Sequence, residues 1–138
     1  RILRLAGREA DIVSINFNNR AGKIGPEGIQ LSTHDETIKK IGWIKEGAGD
    51  RFADLEIEIG AYFTVITDAA KQTAEQMGSM FGLSTDEMRK HPHALIGTVD
   101  EICDELQSRR ETFGISYICV PGTVMKEFAP VVDRLQGK

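Results

Sequence analysis

The chain has 138 residues, enough for one domain with a core of its own, and 41% hydrophobic against 28% charged residues is an ordinary globular balance. A formal net charge of −4 leaves no basic footprint for nucleic acid, and no apolar run approaches the ~20 residues of a membrane span. The N-terminus shows no signal-peptide pattern and only two cysteines occur, Cys103 and Cys119, so two buried free thiols in a reducing, cytoplasmic setting are expected rather than a disulfide.

Residues 1–9 read as a helix with charges at Arg1, Arg4, Arg8 and Glu9. The first residue is Arg rather than Met, and the helical pattern is already running there without a cap. The chain is therefore expected to be the C-terminal part of a longer protein. Residues 10–15 form a short apolar strand. Residues 16–32, rich in Asn and Gly, read as a long loop, and a loop of that length without structure of its own usually carries function. Ser32 or Thr33 caps the next helix, with Asp35 and Glu36 in the first turn, where the helix dipole favours anions. Gly47 and Gly49 are expected to end it.

Residues 55–66 read as one long strand in which Leu55, Ile57 and Ile59 alternate with Glu56 and Glu58. The alternation lapses at Gly60, which suggests a bulge or a close backbone approach. A helix over 69–81 follows, then a short one from Ser84. His91-Pro92-His93 reads as an exposed connector.

Residues 94–122 form the most sharply marked unit. Thr98 and Glu101 make a capping box, in which each side chain takes a backbone N–H of the other's turn. Val99, Ile102, Cys103, Leu106 and Phe113 recur at helical spacing, and Gly114 supplies the left-handed C-cap. The run 115–120 is uncharged and rich in β-branched residues, so it is expected to be a strand buried on both faces of a parallel sheet. Pro121-Gly122 stops it. A last helix over 124–136 contains Pro130, which predicts a kink or two pieces.

Three strands alternating with helices predict a parallel α/β sheet in one domain, residues 1–138. Three are too few to close an eight-stranded barrel, so the strands suit part of a (β/α)8 barrel or a small open sheet.

No motif specifies a reaction: there is no phosphate loop, GxGxxG, GxSxG elbow or CxxC. His91 and His93 lack a third metal ligand nearby, Glu56 and Glu58 read as a solvated strand end, and His34 as a surface residue. Ligands of parallel α/β folds bind at the carboxyl ends of strands. Those ends here are 15–18, 66–68 and 120–122. Asn16 and Asn18 offer amide donors and acceptors, Phe17 a stacking surface, and Arg20 and Lys23 positive charge for an anionic ligand. The alternative is that the Asn and Gly residues only make turns.

Segments 3–15, 58–70 and above all 93–122 resemble the C-terminal half of luciferase-like monooxygenases, and within them the oxidoreductases that use the deazaflavin coenzyme F420. The resemblance implies a (β/α)8 TIM barrel of which this chain holds about the last three βα units. It implies an oxidoreductase whose cofactor, F420 or alternatively FMN, lies at the C-terminal mouth beside a small-molecule substrate. In that family a glycine-rich loop before the helix matching residues 1–9 holds the cofactor phosphate, and most ring contacts lie in the N-terminal half. The resemblance therefore carries no catalytic residue over to this chain. It places Arg1 beside the phosphate loop, Asn16, Phe17 and Asn18 at the mouth after the sixth strand, and Pro121-Gly122 after the eighth. Arg1, Asn16 and Asn18 are then expected at the cofactor, and Phe17, Arg20, Pro121 and Gly122 at the substrate. No metal, membrane or nucleic-acid partner is expected. A homodimer, or pairing with an N-terminal half, is. The alternative is a non-catalytic half-barrel or interaction module.

Overall fold

A computed structural model of the chain describes residues 1–17, 22 and 25–137. Its helices are α1 (Ile2–Glu9), α2 (Pro26–Gln30), α3 (His34–Ala48), α4 (Ala70–Phe81), α5 (Thr85–Arg89), α6 (Val99–Phe113) and α7 (Met125–Leu135). Its strands are β1 (Ile12–Ile15), β2 (Glu56–Gly60), β3 (Phe63–Ile66), β4 (Ala94–Gly97) and β5 (Ile115–Cys119). Among the described residues, no helix is long and apolar enough to cross a membrane.

β1, β2 and β5 make one parallel sheet in that order, so each strand is joined to its neighbour by a helical crossover. This is the parallel α/β architecture the sequence predicts, with the sheet open rather than closed into a barrel. The expected strand over 55–66 is two. It breaks at Ala61-Tyr62, and β3 turns away to pair in parallel with β4. β4 hides in the sequence because a four-residue apolar run ending at a helix cap is too short to show a period.

At Gly60 a side chain rather than another backbone approaches, since a Cβ there would lie 2.7 Å from the Tyr62 ring. The bulge sits earlier, where the register of β2 against β5 shifts between Ile57 and Glu58. The long loop is not structureless either, since α2 lies within it. Both the Thr98/Glu101 box and a second box, Ser84/Glu87, are formed. α7 runs through Pro130 as a single helix, anchored by buried Phe128 and Val131 on either side.

The sheet has two unlike faces. Val13, Ile15, Ile57, Ile59 and Ile115 point one way and pack with Ile41, Ile44, Ala48 and Phe113. Ile12, Ser14, Glu56, Tyr117 and Cys119 point the other way and are exposed, with Glu58 half-buried between them. β5 is thus not buried on both faces, and Cys119 is not a core thiol, although Cys103 is. Among the described residues no second layer covers this face, where parallel sheets ordinarily carry one. Two smaller cores lie between α6, α7 and β4, and around Phe17, Ile29, Ala74 and Met88.

Helices α1 and α3 touch through glycines. A Cβ on Gly7 would stand 2.3 Å from the Ile44 carbonyl oxygen, and one on Gly47 only 1.9 Å from that of Arg4. Gly47 is therefore not a helix stop but the groove in which the α1 backbone lies, and α3 ends one residue later. Gly47→Ala is expected to force the helices apart and to cost about 3 kcal/mol, the upper part of the range for overpacking. Urea unfolding measures it; a loss below about 1 kcal/mol, small even for overpacking, would show that the helices can slide.

Candidate functional site

The strand order brings the carboxyl ends of β1, β2 and β5 side by side. Asn16-Phe17 leave β1, Ala61-Tyr62 leave β2, and Val120, Pro121 and Gly122 leave β5. The Ala61 N–H donates to the Cys119 carbonyl at 2.7 Å, tying the second and third ends together.

The centre of this end is a cluster of four rings, Phe17, Tyr62, His91 and His93. His91 and His93 are not exposed connector residues; both are wholly buried. Phe17 lies inward with them, stacked on His93 with ring centres 4.0 Å apart, while Tyr62 covers the other side at 5.3 Å from Phe17. The carbonyl partners define each imidazole's protonation. His93 donates from Nδ1 to the Gly60 carbonyl at 2.8 Å, and His91 donates from Nε2 to the Ile29 carbonyl at 3.0 Å. His91 Nδ1 accepts the His93 backbone N–H, whereas His93 Nε2 is buried without a partner. Burial disfavours the imidazolium at both. It pushes the His93 pKa down to about 3, and that of His91 also falls; the nearby Arg109 and Lys40 charges add to both effects.

The turn carrying these histidines is held from behind by Arg109 of α6, which is 2% exposed. Its guanidinium donates to the carbonyls of Pro92 and Ala94 at 2.6 Å and of His91 at 3.2 Å, and its Nε to Glu105 at 2.8 Å. Arg109 carries no sequence signal, because it stands among the polar residues of an amphipathic helix. Only its approach to a turn 15 to 18 residues earlier makes it a core group.

At the surface of the cluster, Asn16 is exposed and Tyr62 is 40% exposed. The Asn16 carboxamide oxygen accepts the Phe17 backbone N–H at 2.8 Å and the Tyr62 hydroxyl at 3.2 Å. Lys40 of α3 donates to the Asn16 backbone carbonyl at 3.2 Å and to Ser32 Oγ at 3.3 Å. Its half-buried position pushes the ammonium pKa down, against the opposing pull of Glu36. Asn16, Phe17 and Lys40 line an open depression of about 430 Å³ whose far wall is Ile2 and Leu3. Arg1 is exposed at the start of α1 and lines a separate surface hollow with Ile2, Arg4, Leu5 and Arg8 rather than the depression beside Asn16. Pro121 is half-buried and Gly122 exposed, where β5 passes into a 3-10 turn. Asn18, Arg20 and Lys23 lie outside the described residues. Sequence reasoning missed Tyr62 and Lys40, and only the Gly60 break hinted at the first.

Among the described residues no group of three or more His, Cys, Asp or Glu side chains could hold a metal ion. His34 packs edge-on against Phe113. Met77 and Phe81 pack against a core, while Met80 is exposed.

No protein-family model matches the chain, and no curated protein is similar to it in sequence. Solved structures resemble it in fold. A long-chain alkane monooxygenase, LadA, superposes with a TM-score of 0.56 at 13% identity, over 97% of this chain and 38% of its own. The monooxygenase RslO1 from Streptomyces bottropensis does so with a TM-score of 0.53 at 18% identity, over 96% of this chain and 44% of its own. At these identities the likeness shows the fold. The chain spans about two fifths of the length of each of these proteins.

Proposed function

We propose that the chain is the closing part of a (β/α)8 barrel in a luciferase-like oxidoreductase, and that the carboxyl ends of β1, β2 and β5 form part of a mouth for a flavin-type cofactor, F420 or FMN, and a small-molecule substrate. The observation that carries this reading is the match of nearly the whole chain to two monooxygenase folds; the three neighbouring parallel strands, whose second face is bare among the described residues, agree with it. The polar residues on that bare face, Ser14, Glu58 and Tyr117 in one register row, suit a barrel lumen better than a second helical layer.

The residues present fit a flavin-type group at its polar edge rather than over its ring face. The Phe17 ring is spent on His93, so it is not free to stack on a ligand. What faces outward is hydrogen-bonding capacity at Asn16 and Lys40, the edge of Tyr62, the Pro121-Gly122 rim, and the Arg1 cation for a phosphate. A bound reduced flavin or deazaflavin would supply hydride or oxygen chemistry. This chain's side chains bind and orient, and the wholly buried His91 and His93 keep that wall rigid and neutral. The longest natural polypeptide containing this sequence is expected to quench on titration with FMN or F420. If it binds neither, the cofactor reading fails and the non-catalytic module remains.

Among the described residues the second sheet face is bare and the edges of β1 and β5 are unpaired, which predicts association, because such edges and exposed Ile2, Ile12 and Tyr117 seek cover. The isolated chain is expected to self-associate, or to bind a co-expressed N-terminal half, in light scattering. A monodisperse monomer would count against the open-barrel reading.

A further inference from the structure

We infer that Asn16 is a one-sided binding group: its carboxamide oxygen is used up inside the protein, so its N–H donors face the mouth and take an sp² oxygen acceptor, such as a ring carbonyl, of the bound molecule. The inference rests on the mouth proposed above and specifies its chemistry. The backbone N–H of Phe17 can only donate, so the Asn16 atom 2.8 Å from it is the oxygen. The Tyr62 hydroxyl reaches the same oxygen at 3.2 Å and takes its second lone pair. Among the described residues, both N–H donors of the amide are then left for the exposed side of the residue.

Lys40 adds to the same polarity. Two of its three N–H groups go to the Asn16 carbonyl and Ser32 Oγ, which leaves one beside the depression. Glu36 is the acidic group on this rim, and it is paired with Lys39. A rim of two donor groups, with its carboxylate paired to Lys39, favours an oxygen acceptor on the bound molecule.

Tyr62 is a positioning residue in this arrangement. Its ring lies over the Gly60 backbone, whose carbonyl is pinned by His93, and its plane is 27° from the imidazole. The hydroxyl is thereby held where it fixes the amide's orientation.

The test is an FMN titration of the longest natural chain and of its Asn16→Asp and Tyr62→Phe variants, together with nitrogen-15 NMR of the Asn16 side-chain amide. Asn16→Asp keeps the internal acceptor but replaces the donors, and is expected to weaken FMN about tenfold or more. Tyr62→Phe is expected to weaken it about threefold to tenfold with an unchanged thermal midpoint, and to shift the Asn16 amide signals. Asn16→Asp binding FMN as tightly as the parent overturns the inference. If the parent binds neither FMN nor F420, the cofactor reading has failed and the amide decides alone. Rapid solvent exchange of the Asn16 NH₂ protons, with a shift in Tyr62→Phe, upholds the inference; slow exchange, the mark of an amide bonded inward, overturns it.

Discussion

Replacing Arg109 with Met is expected to destabilise the chain by about 3–5 kcal/mol, the range for breaking a buried charged contact. The side chain is 2% exposed and makes four hydrogen bonds, three of them to main-chain carbonyls of the 91–94 turn. Met fills much of the space but donates nothing, so the carbonyls of Pro92 and Ala94 are left buried without a partner. Each such group costs about 1–3 kcal/mol, and the sum is not additive because the turn relaxes. Total stability of a domain this size is about 5–15 kcal/mol, so the variant approaches the point of unfolding. Arg109→Lys is the graded control. It keeps the charge but offers a single nitrogen in place of a planar fork, and is expected to recover less than half of the loss. Urea unfolding of the two variants checks both figures. If Arg109→Met loses no more than a surface substitution, about 0.5 kcal/mol, the guanidinium is not holding the turn.

A comparable effect is expected from pH, through His93. Its folded-state pKa lies near 3, against about 6.5 when exposed, because burial penalises the imidazolium. The unfolded chain therefore binds the proton first. Above about pH 6.5 both states are neutral and the native state has its full stability; below it, stability is lost progressively until the pH reaches the folded value near 3. The linkage amounts to about 5 kcal/mol over the whole window and about 2–3 kcal/mol by pH 4.5. His91, shifted the same way, adds to the loss. Urea midpoints from pH 7.5 to 4.5 should fall steeply for the parent. In His93→Gln, which carries no charge, they should start lower, because the imidazole's packing is gone, and fall less. Parallel slopes for the two proteins would falsify the assignment.

Much of the scaffold was legible in the sequence, and the reason is local. The Thr98/Glu101 box acts within one turn, the periodicity of α6 runs within one helix, and the three strands announce themselves by composition. The break at Gly60 was legible, but that the Tyr62 ring fills the space there was not. Of the candidate site, Asn16 and Phe17 could be placed at a strand end but not oriented. Phe17 turns inward to the histidines, and Asn16 keeps its oxygen for Tyr62, a residue 46 positions away.

By itself, then, the amino-acid sequence determined β1, β2 and β5, the Thr98/Glu101 cap and the parallel α/β class, all of which follow from interactions a few residues apart. The tertiary structure decided the rest. It buried His91, whose carbonyl partner is 62 residues distant, made a core group of Arg109, and turned Gly47 from a helix stop into a helix contact. It also left one face of the sheet bare, and with it Cys119. Burial and hydrogen-bond partnership belong to pairs of segments rather than to either one, so no local pattern records them.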